Sequence, residues 1–81
     1  MTEIESRDVY EGAYLLLRGH RLKDLTKSAN RQVTFVLCGD GIAEDSADFR
    51  AGRASVNVAM YLFTLEKLKD RLFGVLRGGR K

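Results

Sequence analysis

Eighty-one residues with a net charge of +3 and 44% apolar side chains make one small domain, too apolar for a disordered chain and too small for a second core. A single cysteine and a single histidine exclude an internal disulfide framework and a cysteine-based zinc site. No apolar run nears the roughly 20 residues that span a bilayer, and the acidic start Met1-Thr2-Glu3-Ile4-Glu5 is unlike a signal peptide, so a cytoplasmic domain with no membrane role is expected.

With no proline in the chain, glycine sets the boundaries. The first segment, Ser6 to Arg18, reads as a helix. Ser6 is placed to cap it, Asp8 and Glu11 sit at its positive end, and Gly19 stops it. Thr2 and Glu5 also fit a capping box, which would start the helix earlier. Val9, Ala13 and Leu16 form one stripe, with Tyr10, Tyr14 and Leu17 beside it. Gly12 within this helix predicts close approach of another backbone.

His20 to Lys27 reads as an exposed edge strand with Leu22 inward. Ser28 to Arg31 is a turn. Gln32 to Cys38 alternates, with Val33, Phe35 and Leu37 on one side and Gln32, Thr34, Val36 and Cys38 on the other. Both sides become apolar towards the end, so this strand is expected to be covered on both faces there. The two strands read as a β-hairpin. Gly39-Asp40-Gly41 breaks the pattern, Ile42 to Arg50 reads as a short helix anchored by Phe49, and Gly52 ends it.

The last segment, Ser55 to Leu76, is the longest helix, with Ser55 as its expected cap. Val58, Tyr61, Leu65, Leu68, Leu72 and Val75 make a continuous stripe. Its first half, Val58 to Phe63, is apolar on every side and asks to be enclosed. The expected architecture is α+β: helix, two-stranded antiparallel hairpin, short helix, long C-terminal helix. One domain is expected over residues 1–76, followed by a flexible basic tail over 77–81.

A lone hairpin is marginal in water, and two helices cover only one of its faces. A homodimer is therefore expected, formed by edge-to-edge pairing or by crossing of long helices. Its interface residues would be Val33, Phe35, Val36, Leu37, Met60, Leu62 and Phe63. The alternative is a monomer in which residues 42–49 fold back as the missing cover.

The pattern Tyr10-x-x-Ala13-Tyr14-Leu15-Leu16-x-x-Gly19-His20-x-Leu22, then Val33-Thr34-Phe35-Val36-Leu37, then Leu68-Lys69-Asp70-Arg71-Leu72, resembles a small bacterial family known only as a domain of unknown function. The likeness spans residues 8–73 and rests on apolar spacing with glycine. Leu37, where an aromatic is more usual in the family, is a departure. The resemblance implies the α-β-β-α order and no chemistry.

Charge is arranged in blocks. Acids gather in residues 1–11 and 40–48, bases in 18–31 and at the C-terminus. Arg18, His20, Arg21, Lys23, Lys27 and Arg31 would line one side of the hairpin, and Arg77, Arg80 and Lys81 would form a basic arm, a set suited to phosphate contacts. The same bases also suit an edge strand protected against aggregation.

Cys38 beside Gly39-Asp40-Gly41 invites a nucleophile reading, for which only His20 is available as a base, and no oxyanion motif accompanies it. Asp40, Glu44, Asp45 and Asp48 match no EF-hand spacing. The glycines match neither a P-loop nor a dinucleotide fingerprint. No catalytic, metal or cofactor set is expected. The function expected is a non-enzymatic binding or adaptor module that contacts nucleic acid weakly through the basic hairpin. The alternative is a homodimeric protein-interaction module whose basic patch meets an acidic protein.

Overall fold

The computed structural model describes residues 2–27 and 32–77, in the order β1 (Glu3–Ser6), α1 (Val9–Leu17), β2 (Arg21–Lys27), β3 (Val33–Cys38), α2 (Ile42–Arg50) and α3 (Val58–Arg77). The α+β mix is as expected. The two-stranded hairpin is corrected to a three-stranded antiparallel sheet of order β1-β3-β2, because residues 3–6 form a strand along the second edge of β3. Ser6 is therefore not a helix cap. That role falls to Asp8, whose carboxylate accepts the Tyr10 N–H at 2.9 Å.

Two of the expected helix ends have one cause. Gly19 (φ 96°) and Gly52 (φ 80°) take the left-handed conformation that residues with a Cβ resist. In both, the glycine N–H and the next N–H turn back onto the last helical turn: Gly19 to Leu16 and His20 to Leu15, Gly52 to Phe49 and Arg53 to Asp48. At the start of α3 the expected Ser55 cap gives way to Asn57, whose side-chain oxygen accepts the Met60 N–H at 3.1 Å.

The register fixes the two faces of the sheet. Ile4, Leu37 and Leu22 align in one row, and Ser6, Phe35 and Leu25 in another, all on the helix side. A bulge between Leu22 and Asp24 turns Lys23 to the opposite face, where it joins Glu3, Glu5, Arg21, Asp24, Thr26, Thr34, Val36 and Cys38. Among the described residues no helix covers that opposite face, and its charged side chains explain why none is needed.

Helices α1 and α3 pack together over the helix side, with α2 against α1 and β1. The core consists of Ala13, Tyr14, Leu15, Val33, Phe35, Leu37, Ile42, Leu65 and Leu68. Tyr14 meets the ring of Phe49, the expected anchor of α2, at 5.5 Å between centroids.

At Gly12 α1 lies close against Leu68 of α3. What the glycine admits is a side chain and not a backbone: a Cβ there would lie 3.1 Å from Leu68 Cδ2 and 3.9 Å from the Phe35 ring. Leu68 and Phe35 are both buried, so the space cannot open outward. Gly12→Val is expected to lower stability by about 2 kcal/mol through overpacking. The check is urea unfolding, with a lower midpoint and an unchanged slope. An unchanged midpoint would mean that the helices separate without penalty.

Candidate functional site

The basic residues do not form one exposed strip. Arg18, the C-cap of α1, and His20 converge on Asp45 of α2. The His20 Nε2–H donates to Asp45 Oδ2 at 2.6 Å, with Arg18 Nε at 3.6 Å. The His20 side chain is only 7% exposed, so it ties α2 to the start of β2 and is not displayed to a ligand. Its hydrogen bond, aided by Arg18, holds the Asp45 carboxyl below the usual carboxylate range despite some burial. Lys23 pairs with Glu3 across the sheet.

Arg21 and Lys27 are exposed but face opposite ways. Arg21 pairs with Cys38 on the open face, and Lys27 pairs with core-facing Val33. Arg77 ends α3. Arg31, Arg80 and Lys81, with the rest of the expected flexible tail beyond Arg77, lie outside the described residues.

The expected interface set divides in two. Val33, Phe35 and Leu37 are 7%, 1% and 0% exposed, consumed by the chain's own core. Because β3 is the central strand, with β1 on one edge and β2 on the other, it has no free edge. Pairing of two copies through β3, which needed an open edge, is therefore corrected. Val36 is half-buried on the open face. Met60, Leu62 and Phe63 are 58%, 52% and 62% exposed, and Val58 beside them 68%.

This uncovered apolar patch on α3 follows from helix geometry. The stripe Tyr61, Leu65, Leu68 and Leu72 is turned to the core, and the Tyr61 hydroxyl donates to the Tyr10 carbonyl at 3.0 Å. Residues 59, 60, 62 and 63 lie off that stripe and point away from it. The patch exposes about 400 Å² of apolar side chain, as much as the largest patch on a typical monomer. The Lys67 ammonium lies 4.9 Å from the centre of the Phe63 ring, over its exposed face.

Glu11 was legible in the sequence only as a charge near a helix start. It is instead a buried carboxylate, 2% exposed. It accepts from Ser6 Oγ at 2.8 Å, from Ser46 Oγ, and from the Arg50 guanidinium through Nε and Nη2 at 3.2 and 3.3 Å. Burial pushes its carboxyl up, and these donors outweigh burial to leave it below the ordinary value. Every donor comes from the chain itself, so the cluster is a clasp joining β1, α1 and α2.

Among the described residues the nucleophile reading of Cys38 finds no base hydrogen-bonded to the thiol. His20 Nε2 is committed to Asp45, its ring lies against Gly39, and no hydrogen bond joins it to the thiol. Among the described residues no group of three or more His, Cys, Asp or Glu side chains is placed to hold a metal ion. No described helix is long and apolar enough to cross a membrane.

The surface between β2 and the C-terminal half of α3 has a groove of about 430 Å³ lined by Leu22, Lys23, Asp24, Leu25, Arg71, Gly74 and Val75. Its polar groups do not converge on a point. No protein-family model, curated protein or solved structure matches the chain, and nothing in those comparisons bears on the resemblance drawn from its sequence.

Proposed function

We propose that the protein is a small non-enzymatic binding module that docks protein through the apolar N-terminal half of α3. The observation that carries this reading is the exposure of Val58, Met60, Leu62 and Phe63, each more than half open to solvent on one rigid helix. Ordered apolar patches of this size on small domains serve docking. The patch is close in kind to the anchor groups that dominate protein interfaces, with an aromatic and a methionine at its centre. The nucleic-acid reading has less behind it, since Arg18, His20 and Lys23 are engaged by carboxylates and Arg21 and Lys27 face opposite ways.

Two measurements test the proposal. Phe63→Asp is expected to keep the thermal midpoint within a few degrees, because the ring packs on no core residue, and to abolish the fluorescence of an anilinonaphthalene dye bound to dilute protein. Dye binding that survives Phe63→Asp would place the sticky surface elsewhere. Titration against labelled duplex DNA at 50 and 200 mM salt is expected to give no binding at either. Tight binding that collapses at the higher salt would favour phosphate contacts over protein docking.

A further inference from the structure

We infer that the patch on α3 is occupied by a second copy of the chain, two α3 helices crossing antiparallel about a two-fold axis beside Tyr61; the inference rests on the docking reading above. Three observations choose this occupant. The first is charge. From Ala54 to Leu65 the chain carries no Asp, Glu, Lys, Arg or His, although 31% of its residues are charged. Two copies, each of net charge +3, can meet here without placing like charges opposite one another. Beside the patch the signs alternate at Glu66, Lys67, Asp70 and Arg71, with the Lys67 ammonium over Phe63, so a lipid surface or a strongly acidic or basic partner meets no field of one sign there.

The second observation is shape. Ala59 and Phe63 lie one turn apart on the same outward row. Antiparallel crossing beside residue 61 sets Phe63 of each copy over Ala59 of the other, a large side chain against a small one, twice. On the two sides of that row Met60 then faces Met60 of the other copy, and Leu62 faces Leu62. The arrangement is self-complementary, as a two-fold interface requires.

The third is extent. Helices that cross at about 50° touch over roughly two turns, and the patch is about two turns long. Both copies together bring about 800 Å² of apolar surface, and the surrounding rim raises the total towards the low end of specific interfaces, about 1,200 Å². An interface at that low end suits a reversible dimer.

Sedimentation of the 81-residue chain from 5 µM to 1 mM tests this, together with cross-linking in a Cys38→Ser background. The mass is expected to rise from monomer to dimer across that range. Phe63→Asp is expected to weaken association at least about 10-fold. Mixing Ala59→Cys with Phe63→Cys is expected to give cross-linked heterodimer faster than either variant cross-links with itself. A dimer whose affinity Phe63→Asp leaves unchanged overturns the inference. So does a monomer at 1 mM. If that monomer still binds the dye through Phe63, the docking reading stands and only the second copy is lost. If it binds no dye, both fall.

Discussion

Gly39→Ala is expected to destabilise the protein by about 3 kcal/mol, more than any other single-methyl addition here. The cause is not backbone conformation, since Gly39 is not among the glycines of positive φ. It is His20. A Cβ at residue 39 would lie 2.2 Å from His20 Nδ1 and within 3.2 Å of two further ring atoms. The imidazole cannot move away without leaving Asp45, and it is nearly enclosed.

The substitution therefore either strains the turn after β3 or expels the ring and breaks the contact between β2 and α2. If His20 is the obstacle, Gly39→Ala should become almost harmless in a His20→Ala background. The two changes should then show a coupling of about 3 kcal/mol in a double-mutant cycle of urea unfolding. Strict additivity would show that the turn needs glycine for another reason.

Removal of the clasp under α1 should come next in size. Glu11→Ala leaves the Ser6 and Ser46 hydroxyls short of an acceptor where water reaches poorly, and a loss of about 2–3 kcal/mol is expected. The clasp also sets the response to acid. Glu11 and Asp45 are both held below their ordinary values in the folded chain. At low pH the unfolded chain therefore binds more protons than the folded one.

The stability from these two carboxylates is fully present above about pH 4.5 and is lost as pH falls through their lowered folded values. Urea midpoints measured from pH 7 to pH 3 should fall over the acid end for the wild type. The fall should be shallower for Glu11→Gln, which cannot titrate there. An equally steep fall in that variant would show that the acid response lies elsewhere.

What the sequence made legible was local. The stripes of α1 and α3, the alternation of β3 and the glycine stops at residues 19 and 52 are each written within a few residues, and the structure repeats them within one to three positions. β1 was hidden because Glu3-Ile4-Glu5-Ser6 holds one apolar residue and its Thr2/Glu5 spacing mimics a capping box. Only the second edge of β3, thirty residues away, makes it a strand. The apolar character of both sides of β3 predicted a cover on each face, whereas β1 lies along its edge and no described helix covers the open face.

The pairs that organise the charges were hidden for the same reason. His20 and Asp45 are 25 residues apart, and Glu11 and Arg50 are 39 apart. Within the block of bases, Arg18, His20 and Lys23 thus became individual ties once folded. The apolar patch was readable, because Val58 to Phe63 has no polar side to turn outward. What the sequence overstated was the remainder of the interface: Val33, Phe35 and Leu37 looked available only while β3 was counted as an edge.

The most direct test of the exposed end of α3 as the working surface is a concentration series of amide ¹H–¹⁵N spectra, from 20 µM to 1 mM. Shifts that grow with concentration are expected at residues 58–67, with the amides of β2 and β3 unmoved. Shifts confined to residues 21–27 would contradict the account, and spectra that stay identical throughout would remove the second copy from it.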